Sequence, residues 1–340
     1  MVFARSARSP RVEIGSRDEV RISRSVGDVT TQSPIEIRVD DRTLGLSHLT
    51  KLYFPRDGIT KGALIAYYDT VADYFLTHGR RRPLTLERAP DGIDGERFIE
   101  KQTPRGSPAW VRRIALPALR GSKRVTYPLC ENRATLLYLV NLGTIAFHGW
   151  ISRVGSLSRP DFAFFDLDPG ETCSLATLAR VALALRKELE SAGLTALVKT
   201  SGATGLHVLA PLRGARSYAA VKSLTFDIAR LVAAERPKDV TLERSLNERD
   251  RRAVYIDYRQ IGRGKTIVLP YSVRLRDGAP VSTPLYWGEV EEFAGMRLRG
   301  EPSATFARYN IAAVRARLGR HGDLWAAFES DAQELPIIDR

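Results

Sequence analysis

The feature that most constrains this chain is a pair of carboxylates one residue apart at the end of an apolar run, Phe164-Phe165-Asp166-Leu167-Asp168-Pro169-Gly170. Successive side chains of a β-strand point to opposite faces, so a strand here sends Asp166 and Asp168 out of one face while Phe165 and Leu167 anchor the other. Pro169-Gly170 then ends the strand. Two anions held side by side repel each other, and one takes up a proton unless a cation shares them. Carboxylate oxygens suit hard divalent ions such as Mg²⁺ or Mn²⁺. A solvated Asp-x-Asp at a turn has the same letters, so the motif alone leaves both readings standing.

Composition narrows the partners. The 340 residues, 44% of them hydrophobic, are enough for one large or two ordinary domains. A formal net charge of +13 favours a polyanionic partner, nucleic acid or an anionic surface. There is no long uninterrupted apolar run and no secretory h-region in the Arg-rich N-terminus, so no membrane association is expected. Cys130 and Cys173 are the only thiols, which points to a reduced, intracellular setting. The five histidines are scattered without zinc-ligand spacing, and zinc is not expected.

Residues 1–34, rich in Ser and Arg, read as a flexible tail, and 35–340 as one composite α/β domain. The alternation of Ile35–Val39 predicts a strand, with a turn at Asp40-Asp41. Thr60 is placed to cap a helix whose face, Leu64, Ile65, Tyr68, Val71, Ala72 and Phe75, runs to Gly79. Helices are also expected over 135–147, 175–189 and Tyr218–Glu235, and the basic 120–124 segment as an exposed loop. Strand 162–168, helix 175–189 and strand Leu197–Thr200 form a candidate parallel crossover. Further strands are expected at 206–209, Val254–Asp257 and 266–269.

Lys199-Thr200-Ser201-Gly202-Ala203-Thr204-Gly205-Leu206-His207-Val208 joins two strands through a glycine-containing turn. Its amides, Ser201 and Thr204 can cradle phosphate oxygens with His207 nearby, or the turn is a structural hairpin with a half-buried histidine. Asp257 in Val254-Tyr255-Ile256-Asp257-Tyr258 supplies a third strand carboxylate. If it meets Asp166 and Asp168, the set is a two-metal site for phosphoryl transfer. Gly262-Arg263-Gly264-Lys265-Thr266 is not a P-loop: Arg259 stands where the motif needs glycine, and a strand follows where a helix should. The Asp-Leu-Asp strand is also similar to the nucleophile strand of haloacid-dehalogenase-type phosphatases, although Pro169 and Gly170 depart from that pattern.

The ordered combination resembles the polymerase domain of bacterial ligase D, in the archaeo-eukaryotic primase superfamily. It comprises Asp-Leu-Asp-Pro, Thr-Ser-Gly-x-x-Gly-Leu-His-Val, a later strand Asp, Gly-Lys-Thr, Pro270-Tyr271-Ser272-Val273-Arg274 and 278–285. Leu52-Tyr53-Phe54-Pro55, 58–61, Asp91-Gly92-Ile93-Asp94-Gly95 and Phe147-His148-Gly149-Trp150 extend it over 35 to the C-terminus.

The resemblance implies a primase-like α+β domain of mixed sheets flanked by helices, with the site on a sheet. It implies a repair polymerase of non-homologous end joining, cytoplasmic and nucleoid-associated, that adds NTPs or dNTPs to DNA ends and fills gaps at double-strand breaks. Asp166, Asp168 and Asp257 would hold two Mn²⁺ or Mg²⁺ ions. Ser201, Thr204, His207, His148 and Arg274 would contact the nucleotide. Lys51 and Lys61 would grip a downstream 5′-phosphate, and Phe98 and Arg88 would lie along the template. Region 112–124 matches a loop that brings DNA ends together. One of the arginines in 249–252 would touch substrate, and Ile99 follows Phe98 where relatives often carry a second aromatic. The length leaves no room for ligase or nuclease modules, so a stand-alone polymerase working with a Ku homodimer and a separate DNA ligase is implied. A primase that starts chains de novo and a non-catalytic DNA-end-binding scaffold are the alternatives.

Overall fold

A computed structural model describes residues 34–118, 123–214, 217–296 and 302–336. The expected tail, except for Pro34, lies outside the described residues, as does the 119–122 tip of the basic segment.

The central strand is Phe162–Pro169, an almost continuous apolar run until its two aspartates. Leu206–Arg213 pairs antiparallel with one edge of it and Val254–Asp257 with the other. Leu197–Thr200 and Pro284–Leu285 extend the sheet beyond Leu206–Arg213, and Val240–Thr241 extends it beyond Val254–Asp257. Gln333–Glu334 pairs in parallel with the far end of Leu206–Arg213. Helices Leu175–Ser191 and Tyr218–Glu235 pack on this sheet, each started by a serine whose Oγ accepts an amide of the first turn. A second sheet, in the order Thr266–Val268, Thr144–Trp150, Leu84–Arg88, Phe98–Glu100, is antiparallel throughout. One contiguous apolar core, from Phe54 and Tyr68 through Phe147 and Phe164 to Val281, joins the two sheets.

Four sequence expectations change. The 64–79 helix is two helices, Lys61–Thr70 and Ala72–Gly79, broken at Val71. Thr70 Oγ1 donates back to the Ala66 carbonyl at 2.9 Å, a contact that bends helices. The 135–147 helix is Arg133–Asn141, capped by Asn132, and Phe147 lies instead in strand Thr144–Trp150. Gly143 makes that break at φ +91°, where a Cβ would stand 2.8 Å from Pro90 Cα. The strands of the crossover are parallel but not neighbours, because Leu206–Arg213 inserts between them. Arg124, expected in the basic loop, instead begins strand Arg124–Pro128, which pairs antiparallel with Arg113–Pro117. No described helix is long and apolar enough to cross a membrane.

Candidate active site

Register brings the carboxylates together. Asp166 is directly opposite Asp257 on one neighbouring strand and His207 on the other, and Asp168, two residues on, shares the face of Asp166. Asp257 also starts the turn Tyr258–Gln260, so its Oδ1 accepts the Arg259 amide at 2.9 Å and its Oδ2 the Gln260 side chain at 3.0 Å. Tyr258 lies in that turn.

Burial pushes the Asp166 carboxyl up, against the pull of Lys199 and Arg274. Asp168 is pushed up by burial, then by the charges of Asp166 and Asp257, with Arg249 opposing. Burial and, at Asp168, neighbouring negative charge both work against keeping these two carboxylates as bare anions. Among the described residues no three Asp, Glu, His or Cys side chains are closed around one point as ligands would be. The fit to a divalent ion rests on an all-oxygen donor set and on this excess charge.

A cluster of hydrogen-bonding side chains around one arginine faces the carboxylates. Arg274 is largely buried and donates from Nη1 to the Ser201 carbonyl at 3.0 Å, while its buried Nε has no partner. An orphan donor of this kind suits an anion that completes the site. Ser201 Oγ accepts the amides of Ala203 and Gly205 at 3.2 and 3.1 Å, so those two amides close the turn instead of pointing outward. Thr204 is half-buried at the turn. His207 Nε2 lies 3.3 Å from Asp166 Oδ1, and burial holds its imidazole well below the usual range. His148, on the second sheet, sits 3.4 Å from Glu87, and burial lowers its pKa too. The charges of Arg274 and Lys199 reach both histidines, so the two sheets contribute to one site.

Gly202 stands at φ +73°, and a Cβ there would meet Arg274 Cγ at 2.7 Å and the Ser282 amide at 2.9 Å. Gly202→Ala is expected to cost ~1–3 kcal/mol of stability and to displace Arg274, seen as a lower Tm. A wild-type Tm would show that the turn tolerates a side chain.

Lys51 and Lys61 are brought together by the hairpin of Leu52–Phe54 with Ile59–Thr60, the Lys61 amide donating to the Lys51 carbonyl at 2.8 Å. Lys51 is ion-paired with Asp91, and buried Lys61 donates to the Ser47 carbonyl at 2.7 Å. Phe98 is opposite Arg88 at the edge of the second sheet, with the guanidinium 5.0 Å from the ring centroid. Arg88 is also paired with Glu100, and Ile99 is 70% exposed.

Sequence reasoning missed Lys199, Glu87 and Ser282. The available signal was a lysine between Val198 and Thr200 on a strand whose neighbours are apolar. Of the 249–252 arginines, Arg249 is the one that packs on Tyr255, 3.6 Å from the ring centroid. It borders a cleft of about 450 Å³ that reaches Asp168.

Comparison with known proteins agrees with this arrangement. Residues 60–325 match the LigD primase-polymerase domain family. The multifunctional non-homologous end joining DNA repair protein LigD of Mycobacterium tuberculosis is 31% identical over 308 residues, 88% of this chain and 38% of that protein. The bifunctional LigD of Bacillus subtilis is 31% identical over 295 residues, 86% of this chain and 45% of that protein. The chain thus spans less than half the length of these relatives. The solved polymerase domain of M. tuberculosis ligase D in complex with DNA superposes with a TM-score of 0.76 at 31% identity, covering 85% of this chain and 99% of that one. With the family match running through both sheets and every residue of the carboxylate face, the chain belongs to the LigD primase-polymerase domain family.

Proposed function

We propose that the protein is a nucleotidyltransferase of DNA repair, adding NTPs or dNTPs to the 3′ end of a DNA primer and filling gaps during bacterial non-homologous end joining. The observation that carries this reading is the face on which Asp166, Asp168 and Asp257 stand opposite Arg274, His207 and His148. Carboxylates for metal, with an arginine cation and imidazole donors for a triphosphate, are what nucleotidyl transfer needs side by side.

Asp166, Asp168 and Asp257 would hold two Mn²⁺ or Mg²⁺ ions, which supply a lowered pKa for the attacking hydroxyl and charge neutralisation at the leaving pyrophosphate. Asp257 is held ready by the Arg259 amide and the Gln260 side chain. Arg274 directs its free Nε at the triphosphate, and Ser201 with Thr204 shapes the turn that receives it. His207 and His148 are kept neutral by burial and act as hydrogen-bond donors rather than charges. Lys51 and Lys61 recognise a downstream 5′-phosphate, and Phe98 over Arg88 offers a surface for a template base. A Ku homodimer and a separate DNA ligase are the expected partners, in the nucleoid-associated cytoplasm.

The test is primer extension on gapped, 5′-phosphorylated DNA with Mn²⁺ or Mg²⁺. Extension that stops on chelation is the expected result. Synthesis only on unprimed template would make the protein a primase, and DNA binding with no turnover under any metal would make it a scaffold; either outcome overturns the reading.

A further inference from the structure

Tyr271 is a buried aromatic residue at φ +66°, a left-handed backbone that bulky side chains rarely adopt. Strain of this kind persists only where the surrounding structure over-determines it. The Tyr271 carbonyl accepts the Tyr67 hydroxyl at 2.8 Å, and its amide donates to the Ser282 carbonyl at 2.8 Å. Its own hydroxyl donates to Asp323 Oδ1 at 2.5 Å.

Asp323 follows the end of helix Ile311–His321, and its side chain is 6% exposed. Besides Tyr271, Oδ1 accepts the Trp325 amide at 2.9 Å, and His78 Nε2 stands 2.8 Å from Oδ2. Burial works against the charge of Asp323, but the bonds from His78, Tyr271 and the Trp325 amide hold its carboxyl below the usual range. His78 belongs to helix Ala72–Gly79. One carboxylate therefore ties the C-terminal segment to that helix and to the turn at Tyr271.

That turn leads into the nucleotide side of the site. Ser272 Oγ accepts the Phe147 amide at 2.9 Å, next to His148 in the chain. Arg274, three residues beyond Tyr271, donates its amide to the Pro280 carbonyl at 2.8 Å and its Nη1 to the Ser201 carbonyl at 3.0 Å. A change of backbone at Tyr271 re-aims both residues.

We propose that Asp323 is a positioning residue for Arg274: by anchoring the Tyr271 hydroxyl it keeps Tyr271 left-handed and so keeps the arginine on the Ser201 turn. The inference deepens the nucleotide-site reading and rests on it for its effect on KM. Asp323 acts through Tyr271 and needs no contact with the nucleotide. With the carboxylate gone the hydroxyl loses its anchor, and Tyr271 relaxes towards negative φ and carries Arg274 away from Ser201.

The experiment compares crystal structures and primer-extension kinetics of the wild type with Asp323→Ala, Asp323→Asn and Tyr271→Phe, assayed well below each Tm. Asp323→Ala and Tyr271→Phe are expected to turn Tyr271 to negative φ and to take Arg274 off the Ser201 carbonyl. Their nucleotide KM should rise about tenfold, the worth of roughly one charge-assisted hydrogen bond, with kcat and DNA-end affinity within about twofold. Asp323→Asn keeps an oxygen for the Tyr271 hydroxyl but loses the charge beside His78. It should lower Tm while leaving KM and the place of Arg274 near those of the wild type. A purely structural Asp323 would move Tm alone in all three variants.

An Arg274 that keeps its bond to Ser201 in folded Asp323→Ala and Tyr271→Phe proteins overturns the proposal, as does an unchanged KM in both. Tyr271→Phe deletes a single hydroxyl and decides the matter if Asp323→Ala does not fold. A wild type that extends no primer would sink the polymerase reading, whereas the crystal structures would still decide whether Asp323 places Arg274.

Discussion

Asp257→Ala is expected to reduce primer extension by at least about a hundred- to a thousandfold, the range for losing one preorganised electrostatic stabiliser, while affinity for DNA ends stays near its original value. The separation follows from placement: Asp257 is on the central sheet opposite Asp166, whereas Lys51 and Lys61 belong to the hairpin of Leu52–Phe54 with Ile59–Thr60. Thermal stability should change little. The substitution forfeits the bonds from the Arg259 amide and Gln260, but it also removes one of the charges that push the Asp168 carboxyl up. Asp257→Asn separates the two effects, since its side-chain oxygen still accepts the Arg259 amide but carries no charge. Asp166→Ala should be as damaging to extension. Brisk extension by purified Asp257→Ala protein would remove that residue from the metal site. A parallel collapse of DNA binding would mean that the substitution acted through the fold.

Lys51→Ala/Lys61→Ala is expected to erase the preference for a phosphorylated downstream 5′ end, a loss of about tenfold in affinity, while binding to unphosphorylated gapped DNA stays within about twofold. Charge-assisted contacts to a terminal phosphate account for that size, and rising salt should shrink the preference in the unmodified protein. The preference should also depend on pH. Burial, and then the neighbouring charge of Lys51, lowers the Lys61 ammonium to about 8. Lys61 is fully charged only below that value, so the advantage falls as pH rises from 7 to 9. It falls again below about 6, where the phosphate loses its second charge. Equal weakening on both substrates would assign the two lysines to the diffuse basic surface. A phosphate preference flat between pH 7 and 9 would show that Lys61 does not carry the recognition.

What the sequence determined by itself is what short-range periodicity and turn chemistry encode. Alternation around Asp166 and Asp168 set two carboxylates on one strand face, and the apolar residues between them decided which face was buried. Thr60 announced a helix start because a side-chain oxygen beside free amides is a local matter. The 135–147 stretch was misread because a short apolar run fits a buried helix or a buried strand equally well, and Gly143 decides between them through the close approach of Pro90, a residue distant in the chain. Only the tertiary structure set Asp257 opposite Asp166, inserted Leu206–Arg213 between the parallel strands, and brought His148 and Glu87 of the second sheet towards Arg274. It alone decided that Lys199 is buried between Ser282 and His207. Strand register and burial depend on which distant segments pair, and the energy that selects them comes from packing and desolvation over the whole core.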